Sequence, residues 1–163
     1  MAPKFPQRKL GNETVSAIGL GCMGMSFSYT SFVGYDDAES LRVLTAAADA
    51  GVTFWDTAEM YASPPSPETQ GSTERHIGSW LKKTGKRQEI VLASKVAGRG
   101  AAFGGLSWMR PDGGSTRQTK AQIDYAVEQS LKRLQTDYLD LYQLHWPDRP
   151  VRVFGGQTFK DYE

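Results

Sequence analysis

Four short runs of apolar, β-branched and aromatic residues recur along the chain, and each has a glycine or an ionisable residue next to its last position, ahead of a Gly- or Pro-marked break. They cover residues 17–20, 52–57, 89–96 and 138–146. Runs of this length are too short for helices, and the third, Glu-Ile-Val-Leu-Ala-Ser-Lys-Val, is too continuously apolar for a strand with one solvated face. Helical patterns separate them. Leu41, Leu44 and Ala48 recur at i, i+3 and i+7 after Asp36 and Asp37, which can cap the helix, and Gly51 closes it. Ile77, Trp80 and Leu81 share one face of a second helix that Gly85 stops. Thr119 and Gln122 form a T-x-x-Q capping box before Ile123, Val127, Leu131 and Leu134. The order βαβαβαβ implies right-handed crossovers and a parallel sheet covered by helices. A small hairpin around Gly11-Asn12 precedes it. Periodicity alone leaves open whether such a sheet closes into a barrel.

Composition narrows the function. The 163 residues carry nineteen basic and eighteen acidic side chains, a net charge of +1, with no basic stripe for nucleic acid. No apolar run reaches the roughly 20 residues of a membrane span, and residues 1–10 lack the apolar core of a signal peptide, so a cytoplasmic location is expected. One cysteine, Cys22, excludes an internal disulfide, and with only His76 and His145 beside it there is no zinc spacing. No metal is expected. The proline-rich stretch 62–71 and the stretch 98–114, which holds six glycines, read as loops, the second long and mobile.

Gly19-Leu20-Gly21-Cys22-Met23-Gly24 matches the G-x-G-x-x-G pattern of dinucleotide sites. A pyrophosphate site needs the glycines to open a helix directly, whereas about a dozen residues separate Gly24 from the next helix. These glycines instead suit a loop that approaches something closely. Asp56 ends the second run, Lys95 the third and His145 the fourth. Taken singly, each reads as a loop-starting or snorkelling polar residue, and Tyr61 as a half-exposed loop tyrosine. Together they put ionisable groups at the C-terminal edge of a parallel sheet, where barrel active sites sit.

Such a set suits carbonyl reduction. Tyrosine, with an ordinary pKa near 10, is a weak acid. An ammonium about 4 Å away is worth roughly 4 kcal/mol to tyrosinate at an effective dielectric of 20, enough to lower that pKa by up to about three units. In this scheme Asp56 keeps Lys95 charged and aimed, and His145 polarises the carbonyl.

The segments 51–61 (Gly-Val-Thr-Phe-Trp-Asp-Thr-Ala-Glu-Met-Tyr), 93–95 (Ala-Ser-Lys) and 138–147 (Tyr-Leu-Asp-Leu-Tyr-Gln-Leu-His-Trp-Pro) resemble the aldo-keto reductase family. The insert 64–71 and the run 130–137 are most similar to its Tas-like bacterial branch. The resemblance covers nearly the whole chain. It implies a single domain over residues 1–163 made of the first four β/α units of a TIM-type parallel (β/α) barrel, NADPH as cofactor, and small aldehydes or ketones as substrates. It also implies Asp56, Tyr61, Lys95 and His145 as the catalytic tetrad, with Cys22, Met23 and Asp56 against the cofactor. A (β/α)₈ barrel takes about 250 residues, so the resemblance implies an N-terminal half whose partner is a second copy or a complementary half. Groups holding the nicotinamide and the 2′-phosphate would then lie outside this chain. A non-catalytic half barrel, inert or serving as an interaction module, is the alternative expectation.

Overall fold

The structure is a computed structural model that describes residues 5–26, 37–100 and 105–149. Strand β1 (Gln7–Leu10) and strand β2 (Glu13–Ser16) form the expected antiparallel hairpin, and Gly11 takes the turn at φ 60°. A positive φ at a two-residue turn is where glycine costs least. Ser16 joins the hairpin to the main sheet: its N–H donates to the Thr53 hydroxyl (3.1 Å), and the Thr53 N–H donates to the Ser16 hydroxyl (2.9 Å).

The main sheet holds β3 (Gly19–Gly21), β4 (Phe54–Asp56), β5 (Val91–Val96) and β6 (Leu141–Leu144). All are parallel and adjacent in chain order, with Gly19 opposite Phe54, Phe54 opposite Val91 and Ala93 opposite Leu141. Each hydrogen-bonded strand is shorter than the apolar run that announced it. The flanks of those runs serve as turns and ladder ends: Glu89 lies in a 3₁₀ turn, and His145 extends β6 by donating from its N–H to the Val96 carbonyl (2.9 Å).

Helices α1 (Asp37–Asp49), α2 (Ser72–Thr84) and α3 (Lys120–Leu134) cover one face. Leu44, Ile77, Trp80, Leu81 and Leu134 descend from them onto Trp55 and Leu92 of the sheet. Trp55 and Trp80 pack ring to ring at 4.8 Å, and truncating a buried Trp of this kind typically costs 3–5 kcal/mol, roughly a third or more of a domain's stability. Helices α2 and α3 cross at Gly78, where an added Cβ would lie 2.2 Å from the Arg133 carbonyl oxygen. Beside this crossing, Glu74 accepts from the Ser94 hydroxyl (2.6 Å) and from Arg133 Nε (2.7 Å), so a fully buried carboxylate is paired.

Two details differ from expectation. The Thr119 hydroxyl does cap α3, accepting from the Gln122 N–H at 3.4 Å, but Gln122 does not return the bond. Its side-chain oxygen accepts instead from Arg110 Nε and the Arg117 N–H, stronger calls on it than an exposed cap amide. The glycine-rich stretch is pinned where it is described, by buried Met109 and Arg110 and by backbone bonds among Gly100, Gly105 and Thr116. The cap expected at Asp36 and whatever follows residue 149 lie outside the described residues. Among the described residues, no helix is long and apolar enough to cross a membrane, and no cluster of His, Cys, Asp and Glu forms a metal site.

Candidate active site

Strand alternation selects which side chains reach the open face. Leu92 and Ser94 of β5 turn to the helices, so Lys95 turns away from them. Register does the rest. Gly21, Asp56 and Ala93 lie side by side across β3, β4 and β5, and Lys95 lies beside Gln143 of β6. Lys95 Nζ donates to Asp56 Oδ2 at 2.6 Å and to the Thr57 carbonyl at 2.8 Å, and Gln143 Nε2 reaches Asp56 Oδ1 at 3.4 Å. Lys95 therefore finds the carboxylate that an ammonium at the end of an apolar strand needs.

Beyond β4 the chain keeps pairing with β5, since the Thr57 and Glu59 N–H groups donate to the Ala93 and Lys95 carbonyls. It then turns at Ala58–Tyr61. Tyr61 packs in a second buried cluster with Ala58, Met60, Ala97, Leu106 and Met109, flanked by Trp146. Its hydroxyl lies 3.5 Å from His145 Nε2, with the two rings edge to face, and Lys95 Nζ lies 5.1 Å from its ring centre. All four residues picked from the sequence converge on one edge. Cys22 and Met23 follow β3 at the same edge and diverge. The Cys22 N–H donates to the Asp56 carbonyl (2.8 Å) while its thiol is wholly buried, pushed up to about 12 by burial and then by Asp56, whereas Met23 is 41% exposed.

The electrostatics correct one expectation. Burial first, then Asp56 and Cys22, push the Tyr61 hydroxyl up to about 12, not down toward neutrality. A lone ammonium at about 5 Å would favour tyrosinate by roughly 3 kcal/mol at an effective dielectric of 20. Here Lys95 is in contact with Asp56, whose carboxylate acts on the same hydroxyl in the opposite sense, and the ammonium does not lower it. His145 moves the other way, down to about 4, through burial and then Lys95, against Asp56. Its Nδ1 is buried without a hydrogen-bond partner. At neutral pH the site thus presents a protonated phenol and a neutral imidazole.

Two further residues hold the site together, and the sequence reading singled out neither. The Glu59 carboxylate pairs with Arg110 in a fork, 2.9 and 3.0 Å, and both side chains are at most 2% exposed. Arg110 stands in the glycine-rich stretch, where it reads as an ordinary surface cation. Only the identity of Glu59, between two apolar neighbours in a run entering the interior, hinted that a buried partner was required.

The sequence model of the Aldo/keto reductase family matches residues 17–159. Protein tas of Escherichia coli is 44% identical over 149 residues, covering 90% of this chain and 40% of the relative. An aldo-keto reductase of Schizosaccharomyces pombe named with NADP(+), yakc, is 43% identical, covering 94% and 38%. Among solved structures, an aldo-keto reductase from Bacillus halodurans in its holo form superposes with a TM-score of 0.63 at 35% identity, covering 86% of this chain and 40% of that one. One from Klebsiella pneumoniae in complex with NADPH gives 0.58 at 36%, covering 84% and 38%. The chain thus spans about 40% of the length of the relatives it matches. Its sheet, helices and N-terminal hairpin correspond to the first half of their TIM-type barrel. With four strands in barrel order, an ionisable set at their C-terminal edge and a family match along nearly its whole length, the chain belongs to the aldo/keto reductase family.

Proposed function

We propose that this chain carries the catalytic half of an NADPH-dependent reductase that converts small aldehydes or ketones to alcohols. The observation that supports it most is the convergence of two contacting pairs, Tyr61 with His145 and Lys95 with Asp56, on one sheet edge, with Lys95 Nζ 5.1 Å from the Tyr61 ring centre. NADP(H) is named with the S. pombe relative and with the Klebsiella structure. The edge suits a flat group: Gly21, beside Asp56, has open space where a Cβ would stand, and Met23 is half-exposed next to it. Met23, the Cys22 backbone and Asp56 would line the nicotinamide. When bound, the cofactor supplies hydride to the carbonyl carbon.

The chain's own residues handle the oxygen. The Tyr61 hydroxyl and His145 Nε2 lie 3.5 Å apart, close enough for one carbonyl oxygen to accept from both when Nε2 carries the proton of the neutral imidazole. As negative charge gathers there, Tyr61 gives up its proton, because even a phenol with a pKa of about 12 is a far stronger acid than the alcohol formed. The tyrosinate left behind faces Lys95, whose ammonium then has an anion on each side, and a solvent proton restores the phenol. Residues 1–163 serve as one domain, in the cytoplasm. The outer edges of β3 and β6 take up the rest of a barrel, from a second copy or a complementary half.

The test is Tyr61→Phe in the completed barrel, residues 1–163 joined to the remaining β/α units. NADPH-dependent aldehyde reduction should fall by about 10² to 10⁴, the range for loss of a general acid, with nucleotide binding nearly unchanged. Wild-type turnover in that variant would place the proton donor elsewhere.

A further inference from the structure

Tyr61 stands on a turn, not on a strand, so its aim at His145 depends on what fixes residues 57–61. Glu59, two residues away, does this from three sides. Its Oε1 accepts from the Ala97 N–H at 2.7 Å, just beyond Lys95, and from Arg110 Nη2, while Oε2 accepts from Arg110 Nη1. Its carbonyl accepts from Gln70 Nε2 at 2.6 Å, on the far side of the proline-rich loop. Arg110 is fixed in turn by Gln122 in the first turn of α3. Met109, next to Arg110, and Ala97, bonded to Glu59, both belong to the cluster that packs around Tyr61. One buried carboxylate therefore ties the turn that carries Tyr61, the strand end that carries Lys95 and the loop that walls Tyr61 in.

From this geometry we infer that Glu59, through its fork with Arg110, is a positioning residue that sets the Tyr61 hydroxyl against His145 for proton delivery. The inference rests on the reading of Tyr61 as proton donor. A fully buried ion pair adds little net stability over a well-packed apolar pair. Its distinctive contribution is directional, because a two-point fork fixes the carboxylate plane as well as its place. A displacement of about 1 Å at a reacting group can cost 10²-fold in rate.

The experiment uses the completed barrel and the double variant Glu59→Met/Arg110→Met, which fills the space without leaving a buried charge. Its melting temperature should fall by no more than the few degrees expected for one buried N–H, that of Ala97, left without its acceptor, while kcat falls by roughly 10²-fold and the KM for NADPH is unchanged. Placed in the Tyr61→Phe background, the same double change should have little further effect, because its action passes through the hydroxyl. Should the double variant fail to fold, Arg110→Lys, which keeps the charge and loses the fork, should show the same kcat loss and the same non-additivity. Wild-type kcat in a folded pair variant would overturn the inference and leave Tyr61 as the donor. Full additivity with Tyr61→Phe would overturn it too, by showing that Glu59 acts on something else. Wild-type turnover in Tyr61→Phe alone would remove the proton-donor reading, and this inference with it.

Discussion

Lowering the pH from 7 to 4 should weaken this fold through His145. The imidazole is held neutral by burial and by Lys95, and its pKa falls from an ordinary 6.5 to about 4. In the unfolded chain it takes up a proton near 6.5, so between the two values the unfolded state binds more protons and gains. The stabilisation from this group is fully present above about pH 6.5. It is lost as the pH falls toward 4, at roughly 1 kcal/mol per pH unit, to a ceiling of about 3 kcal/mol. The ring keeps some exposure, so the measured loss should fall below that ceiling. Urea unfolding at pH 7.5, 6, 5 and 4.5 would read it, with His145→Gln as the reference chain in which this part of the slope disappears. The His145 Cε1 proton, assigned by its loss in the same variant, should show no titration step between pH 8 and 5. A step near 6.5, or a wild-type and variant stability gap that does not change with pH, would refute the reasoning. It would also undo the neutral imidazole on which the proposed hydrogen bond to a carbonyl depends.

Lys95→Met should leave a folded protein whose reductase turnover drops by 10² or more, since tyrosinate then forms beside Asp56 with no cation to offset it. Steady-state aldehyde reduction by the completed barrel measures this. Gly78→Ala should destabilise despite the better helix propensity of alanine. The gain is about 1 kcal/mol, but the new Cβ would stand 2.2 Å from the Arg133 carbonyl oxygen, and parting α2 from α3 costs about 1–3 kcal/mol or more. Chemical denaturation followed by circular dichroism should show a lower midpoint.

Much of this arrangement was legible in the sequence because it depends on local order. An apolar run that ends on Asp56, Lys95 or His145 puts that residue at a parallel strand's C-terminal edge whatever the rest of the chain does. Gly51 and Gly85 stop helices by backbone preference alone, and both take the positive φ expected of them. What stayed hidden depends on distant partners. Arg110 looks like a surface cation until the fold brings it to Glu59, 51 positions away. Gln122 has the right spacing for a reciprocal cap, yet Arg110 and Arg117 claim its side chain. The direction of the Tyr61 shift was hidden for the same reason. Residue types show that Lys95 can lower a tyrosine, but only the 2.6 Å contact with Asp56 shows that its charge is already balanced.

The strictly sequential order of the main sheet bears on how this chain acquires its structure. Each strand's partner is the next one to be synthesised, so every β/α unit closes a loop of only a few tens of residues before adding its ladder. Such a topology has short-range contacts for a parallel sheet, and it permits assembly from the N-terminus while translation continues. β6 must wait longest, because the glycine-rich stretch and α3 separate it from β5. His145 is thus the last of the four site residues to arrive, and the ion pair between Asp56 and Lys95 can exist on a nascent chain before the imidazole joins it.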